Sequence, residues 1–102
     1  MNSSEQPLRG SILEEATVLT VEDLSRICAV EQRRILAYVE EGVLDAVQIG
    51  AEDWHFRGPA LRRARLALRL ESDLELNLAG VALALQLMDE LDRLRRELKA
   101  TR

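Results

Sequence analysis

The sequence predicts a mainly helical fold, a winged helix-turn-helix followed by a long C-terminal helix. Three observations carry that expectation. Two short helical patterns meet at a tight break near Ala29-Val30. A small alternating hairpin, Val47 to Phe56, follows them. A leucine repeat with spacings of three and four then runs toward the C-terminus. Two helices around a tight break, a two-stranded wing and a further helix make up the winged helix-turn-helix order.

The elements follow in chain order. Residues 1–10 read as a flexible leader, 11–77 as the winged helix-turn-helix domain and 78–102 as a C-terminal dimerisation helix. A short strand is expected within Ile12 to Leu19. Thr20-Val21-Glu22-Asp23 is a helix start, with Thr20 as cap and Asp23 answering it three residues later. Val21, Leu24, Ile27 and Cys28 share one face of that helix. After the break, a second helix runs roughly from Glu31 to Glu41, with Ile35, Leu36 and Val39 at helical spacing. Gly42 ends it in a left-handed conformation, and Val43-Leu44 follow as a hydrophobic latch. The hairpin has Val47-Gln48-Ile49 as one arm, Gly50-Ala51-Glu52-Asp53 as turn and Trp54-His55-Phe56 as the other arm. Alternation points Val47, Ile49, Trp54 and Phe56 inward. Pro59 suits the first turn of a third helix, which reaches about Leu74. Asn77 caps the last helix, Leu78 to about Lys99.

That last helix carries the clearest pattern. Ala84, Leu87, Leu91, Leu94 and Leu98 form a heptad seam. Leu78, Val81, Leu85 and Met88 form a second stripe over the first half only. One face serves the domain, and Leu87, Leu91, Leu94 and Leu98 are expected to pair with a second copy of the helix.

Composition bounds the function. The 102 residues suit one domain with a modest aliphatic core. No apolar run approaches the ~20 residues of a membrane span. The N-terminus lacks the basic and apolar segments of a signal peptide, and the single Cys28 cannot form an internal disulfide, so a cytoplasmic protein is expected. The net charge of −4 is unevenly spread. Residues 11–58 hold ten acids against four bases and sum to −6, whereas residues 59–102 sum to +2. The acidic half repels nucleic acid and attracts a basic partner.

Catalytic groups are scarce. With one His, one Cys, one Tyr and no glycine-rich phosphate loop, the chain offers neither a catalytic constellation nor a metal site, and no cofactor is expected. His55 points outward between Trp54 and Phe56, and Cys28 acts as a small hydrophobe on the first helix. Arg33 and Arg34 on the second helix are flanked by Glu31, Glu40 and Glu41, and the wing is acidic, so direct nucleic-acid binding is not expected. Basic residues gather on the third helix (Arg62, Arg63, Arg65, Arg69) and near the C-terminus, where solvated faces and ion pairs account for them. The candidate partner-binding residues are Glu40, Glu41, Asp45, Glu52 and Asp53, at the end of the second helix and on the wing.

These residues also carry a resemblance. Leu19-Thr20-Val21-Glu22-Asp23-Leu24 and Val39-Glu40-Glu41-Gly42-Val43-Leu44 resemble the start of MerR-type regulators. Arg69 to Gly80, running into Val81 to Glu90, is similar to CbpM, the chaperone-modulator branch related to MerR, and so is Trp54-His55-Phe56. The resemblance spans Leu19 to Leu98. It implies a partner, the J-domain of a DnaJ-like co-chaperone of the CbpA type, whose co-chaperone and DNA-binding activities would be inhibited. The alternative it leaves is a MerR-like DNA-binding transcription regulator. MerR regulators usually carry Arg-Tyr near the end of the second helix, where this chain has Leu36-Ala37. The Cys ligands that metal-sensing members carry have no counterpart after the long helix. Placing the docking face on the acidic residues is an inference from charge.

Overall fold

The computed structural model describes residues 18–49 and 53–101. The expected leader, most of the stretch expected to hold the first strand, and Gly50, Ala51 and Glu52 of the hairpin turn lie outside them. The element order is β1 (Val18–Thr20), α1 (Val21–Cys28), α2 (Gln32–Glu40), β2 (Val47–Ile49), β3 (Asp53–Arg57), α3 (Gly58–Leu74) and α4 (Leu78–Ala100). The protein is mainly helical, with one antiparallel sheet in the order β1-β3-β2.

Local chemistry explains the helix ends. Thr20 Oγ1 accepts the Asp23 N–H at 3.0 Å, and Asp23 Oδ2 accepts the Thr20 N–H at 2.9 Å, the expected reciprocal cap. Helix α1 stops at Ala29, whose φ of 59° is left-handed. The Val30 N–H then returns to the Ser25 carbonyl at 3.1 Å, and the Ala29 N–H returns to Arg26 at 3.3 Å. A left-handed alanine costs about 1 kcal/mol against glycine. Helix α2 ends in the same way at Gly42 (φ 79°). Here the Val43 N–H reaches the Tyr38 carbonyl at 2.8 Å and the Gly42 N–H reaches Val39 at 3.1 Å. Val43 and Leu44 are buried directly behind it, as the latch requires. Asn77 Oδ1 caps α4 by accepting the Gly80 N–H at 2.8 Å.

The core is aliphatic, with two aromatic rings in it. Leu19, Leu24, Ile35, Tyr38, Val43, Leu44, Phe56, Leu61, Val81 and Leu85 are buried together with three alanines of α3. Tyr38 was not expected there. It is one turn from Ile35 on α2 and is 1% exposed, while Leu36 and Val39 are only half-buried. The apolar face of α2 is therefore centred on Ile35 and Tyr38.

The hairpin register also differs from expectation. Ile49 faces Asp53, Gln48 faces Trp54 and Val47 faces His55. The loop between the arms is thus three residues, not four, and each pairing shifts by one. Since side chains alternate, that shift moves Val47 to the other side of the sheet. Val47 is 54% exposed, not inward, and Gln48 shares the face of Trp54 and Phe56. The Ile49 side chain lies outside what the structure describes. Phe56 is buried as expected, opposite Leu19 of β1, and Trp54 is half-buried against the core.

Helix α4 has the two expected faces. Val81 and Leu85 are buried, while Leu83, Leu87, Leu91, Leu94 and Leu98 are exposed, and so is Met88 of the stripe expected to face the domain. At 100° per residue, the seam of Leu87, Leu91, Leu94 and Leu98 is centred about 130° round the helix from Val81 and Leu85. From Gln86 to Thr101 every residue is exposed, so this stretch projects from the body that α4 helps to bury.

Candidate partner-binding surface

The acidic candidates fall in three places. Glu40 and Glu41 are exposed at the C-terminal end of α2, held there by the Gly42 turn. Asp45 is exposed in the link to β2 and lines a cleft of about 270 Å³ with Val47, His55, Arg57 and Arg63. Asp53 is exposed at the start of β3 and lines a different groove, of about 420 Å³, with Glu22, Gln32, Leu36, Trp54 and His55. Glu52 lies outside the described residues. Asp45 therefore neighbours two arginines, whereas Asp53 neighbours a second carboxylate. Glu22, Gln32 and Leu36 were not among the sequence candidates. Gln32, Leu36 and Glu40 recur every four residues on α2, which is legible in sequence, but the approach of β3 to that row is not.

The bases of the helix pair are engaged. Arg26 meets Asp23 at 2.9 Å, Arg33 meets Glu31 at 2.8 Å, and Arg34 of α2 is ion-paired to Glu71 of α3. Such pairs at the surface stabilise little. Their consequence is local neutralisation of the cations that a phosphate backbone would need.

Arg63 has a structural role. Its guanidinium forms a bidentate pair with Asp89 of α4, both contacts at 3.0 Å, and its Nε donates to the Val43 carbonyl. One side chain thereby ties α3, α4 and the latch after α2 together. Arg62, Arg65 and Arg69 are exposed, and among the described residues no carboxylate pairs with them. Among the C-terminal bases, Arg95 pairs with Asp92 at 3.8 Å, and Arg93 pairs with Glu90 and Glu97.

Tyr38 sits beside the Arg34–Glu71 pair, yet its buried hydroxyl makes no hydrogen bond of normal geometry. Burial pushes its pKa up to about 12. Arg34 pulls it down and Glu71 pushes it up. The folded value is raised above the unfolded value of about 10. Tyr38 therefore favours folding fully below about pH 10, and that contribution is lost as pH rises through the folded value. Tyrosinate absorbance should report this directly, because Tyr38 is the only tyrosine. The native chain should ionise near pH 12 and the urea-unfolded chain near pH 10. Native ionisation near pH 10 would contradict the burial.

The other reactive side chains are quiet. Burial raises the Cys28 thiol pKa, with Arg65 opposing, and Cys28 packs half-buried against the core. His55 lies on the sheet face away from Phe56, as expected, but it is half-buried and its Nδ1 is enclosed without a hydrogen-bond partner. Among the described residues no His, Cys, Asp and Glu cluster has the makings of a metal site. No described helix is long and apolar enough to cross a membrane.

Comparison with known proteins adds a family. Residues 19–102 match the model of the MerR HTH family regulatory protein. A protein named Chaperone modulatory protein CbpM from Coxiella burnetii (strain RSA 331 / Henzerling II) is 29% identical over 96 residues, covering 94% of this chain and 91% of that one. Two from Pseudomonas putida carry the same name. The strain GB-1 protein is 35% identical, covering 83% of this chain and 78% of its own. The strain W619 protein is 33% identical, covering 80% and 84%.

Proposed function

The chain belongs to the MerR HTH regulatory family, in the branch shared with proteins named chaperone modulatory protein CbpM, and from that membership we propose a non-catalytic chaperone modulator. In this reading it binds the J-domain of a DnaJ-like co-chaperone of the CbpA type in the cytoplasm and inhibits its co-chaperone and DNA-binding activities. The carrying observation is the extent of likeness: relatives of that name match over four-fifths or more of the chain. The charge layout supports it. Glu40, Glu41, Asp45, Glu52 and Asp53 supply the acids of the docking face, and Arg26, Arg33 and Arg34 of the helix pair are held in ion pairs. Two copies joined through α4 by Leu87, Leu91, Leu94 and Leu98 present two such faces.

Charge reversal tests the face. Glu40→Lys, Glu41→Lys and Asp45→Lys together should lower the association rate with a CbpA-type J-domain by roughly tenfold at low salt, because long-range attraction acts mainly on that rate. Arg62→Glu, on α3, should leave binding unchanged or slightly faster. A folded triple variant with unchanged rates would remove these acids from the interface. The second reading, a DNA-binding regulator, rests on the family description. A gel-shift titration across salt, run beside a J-domain pull-down, separates the two: tight salt-sensitive DNA binding without J-domain capture would favour the regulator.

A further inference from the structure

We propose that the groove between α1, α2 and β3 seats a cationic amphipathic helix of the partner, which places an apolar side chain against Leu36 and Trp54 and flanking Lys or Arg side chains on Glu22 and Asp53. This deepens the J-domain reading above and rests on it. The groove, about 420 Å³, has a two-carboxylate rim and a partly apolar wall. Glu22 and Asp53 are exposed, and among the described residues neither is paired with a cation. No Lys or Arg lines the groove. Phosphate-bearing ligands would meet uncompensated negative charge there, whereas a cationic segment gains on both sides.

The wall suits an anchor. Leu36 and Trp54 are half-buried and line the groove with their uncovered surface, the kind of amphipathic, rigid area on which interface anchors pack. Gln32 and Leu36 follow at four-residue spacing, so one turn of α2 forms that wall of the groove. His55 also lines the groove, and its enclosed Nδ1 has no partner within the chain.

This site differs from the α2 end. Asp45 belongs to another cleft, beside Arg57 and Arg63, and adds nothing to the groove. The groove instead recruits Glu22, Gln32 and Leu36.

Trp54 is the only tryptophan, so 5-fluorotryptophan incorporated into the full chain gives a single 19F resonance at the groove wall. Titration with a CbpA-type J-domain, with binding followed in parallel by calorimetry, should shift the 19F resonance saturably. Glu22→Lys with Gln32→Lys, both on exposed positions, should weaken binding tenfold or more with little change in melting temperature. Glu22→Gln alone should weaken it severalfold. If the J-domain binds by calorimetry while the 19F signal stays fixed and the double variant binds like wild type, the groove is overturned and the J-domain reading stands. Absence of any J-domain binding overturns both. A 19F shift produced by duplex DNA and not by the J-domain overturns the cationic-helix occupant.

Discussion

Replacing Phe56 with Ala should destabilise the chain by about 3–5 kcal/mol, the usual cost of emptying a phenylalanine site in a closed core. Phe56 is 1% exposed and sits on β3, the central strand, opposite Leu19. It shares the core with residues from α1, α2, α3 and α4, so no single element can relax into the space. A domain of this size has roughly 5–15 kcal/mol in total, so the variant loses a large share of it. Urea unfolding followed by Trp54 fluorescence should show a much lower midpoint with a similar slope. If the midpoint barely moved while partner binding disappeared, Phe56 would be a surface anchor.

Leu91→Glu combined with Leu94→Glu should convert a dimeric wild type into a folded monomer. Leu91 and Leu94 are about half-exposed, in line with Leu87 and Leu98, on the side of α4 turned away from Val81 and Leu85. Five exposed leucines along one helix, counting Leu83, exceed the scatter of single surface apolar residues. In the proposed dimer a second copy of the same seam would cover them by knobs-into-holes packing. Burying carboxylates in such a seam is strongly unfavourable, so dimerisation should be lost altogether. The fold should survive, because Val81 and Leu85 still anchor the start of α4. Sedimentation velocity and circular dichroism check both parts. A wild type that stays monomeric at high micromolar concentration would end the idea.

Much of this architecture is legible in sequence because it depends on neighbours. The Thr20–Asp23 cap, the Gly42 turn with its Val43-Leu44 latch and the Asn77 cap are each written within about six residues. The exits of α1 and α3 are harder to read, since Ala29 and Glu75 take left-handed φ values of 59° and 54° without being glycine. At Ala29 only the interruption of the helical pattern hints at the turn. The acidic candidates show a similar division. Their exposure follows from their charge, but the split of Asp45 from Asp53 into separate clefts follows from chain geometry.

By itself the sequence determined the helical class, the order of elements, the caps and the two-faced last helix, because periodicity and capping act over a few bonds. The tertiary structure alone decided the face of the hairpin, the burial of Tyr38, the clamp made by Arg63 and the groove shared by Glu22 and Asp53. Each depends on which distant segments meet. A one-residue change of register sends Val47 to the opposite face, and the hydrophobic content of the strand is the same in either case. Tyr38 is buried because α2 rolls to place Ile35 and Tyr38 toward the shared core, a rotation that the packing of the whole domain sets and that α2 alone leaves open.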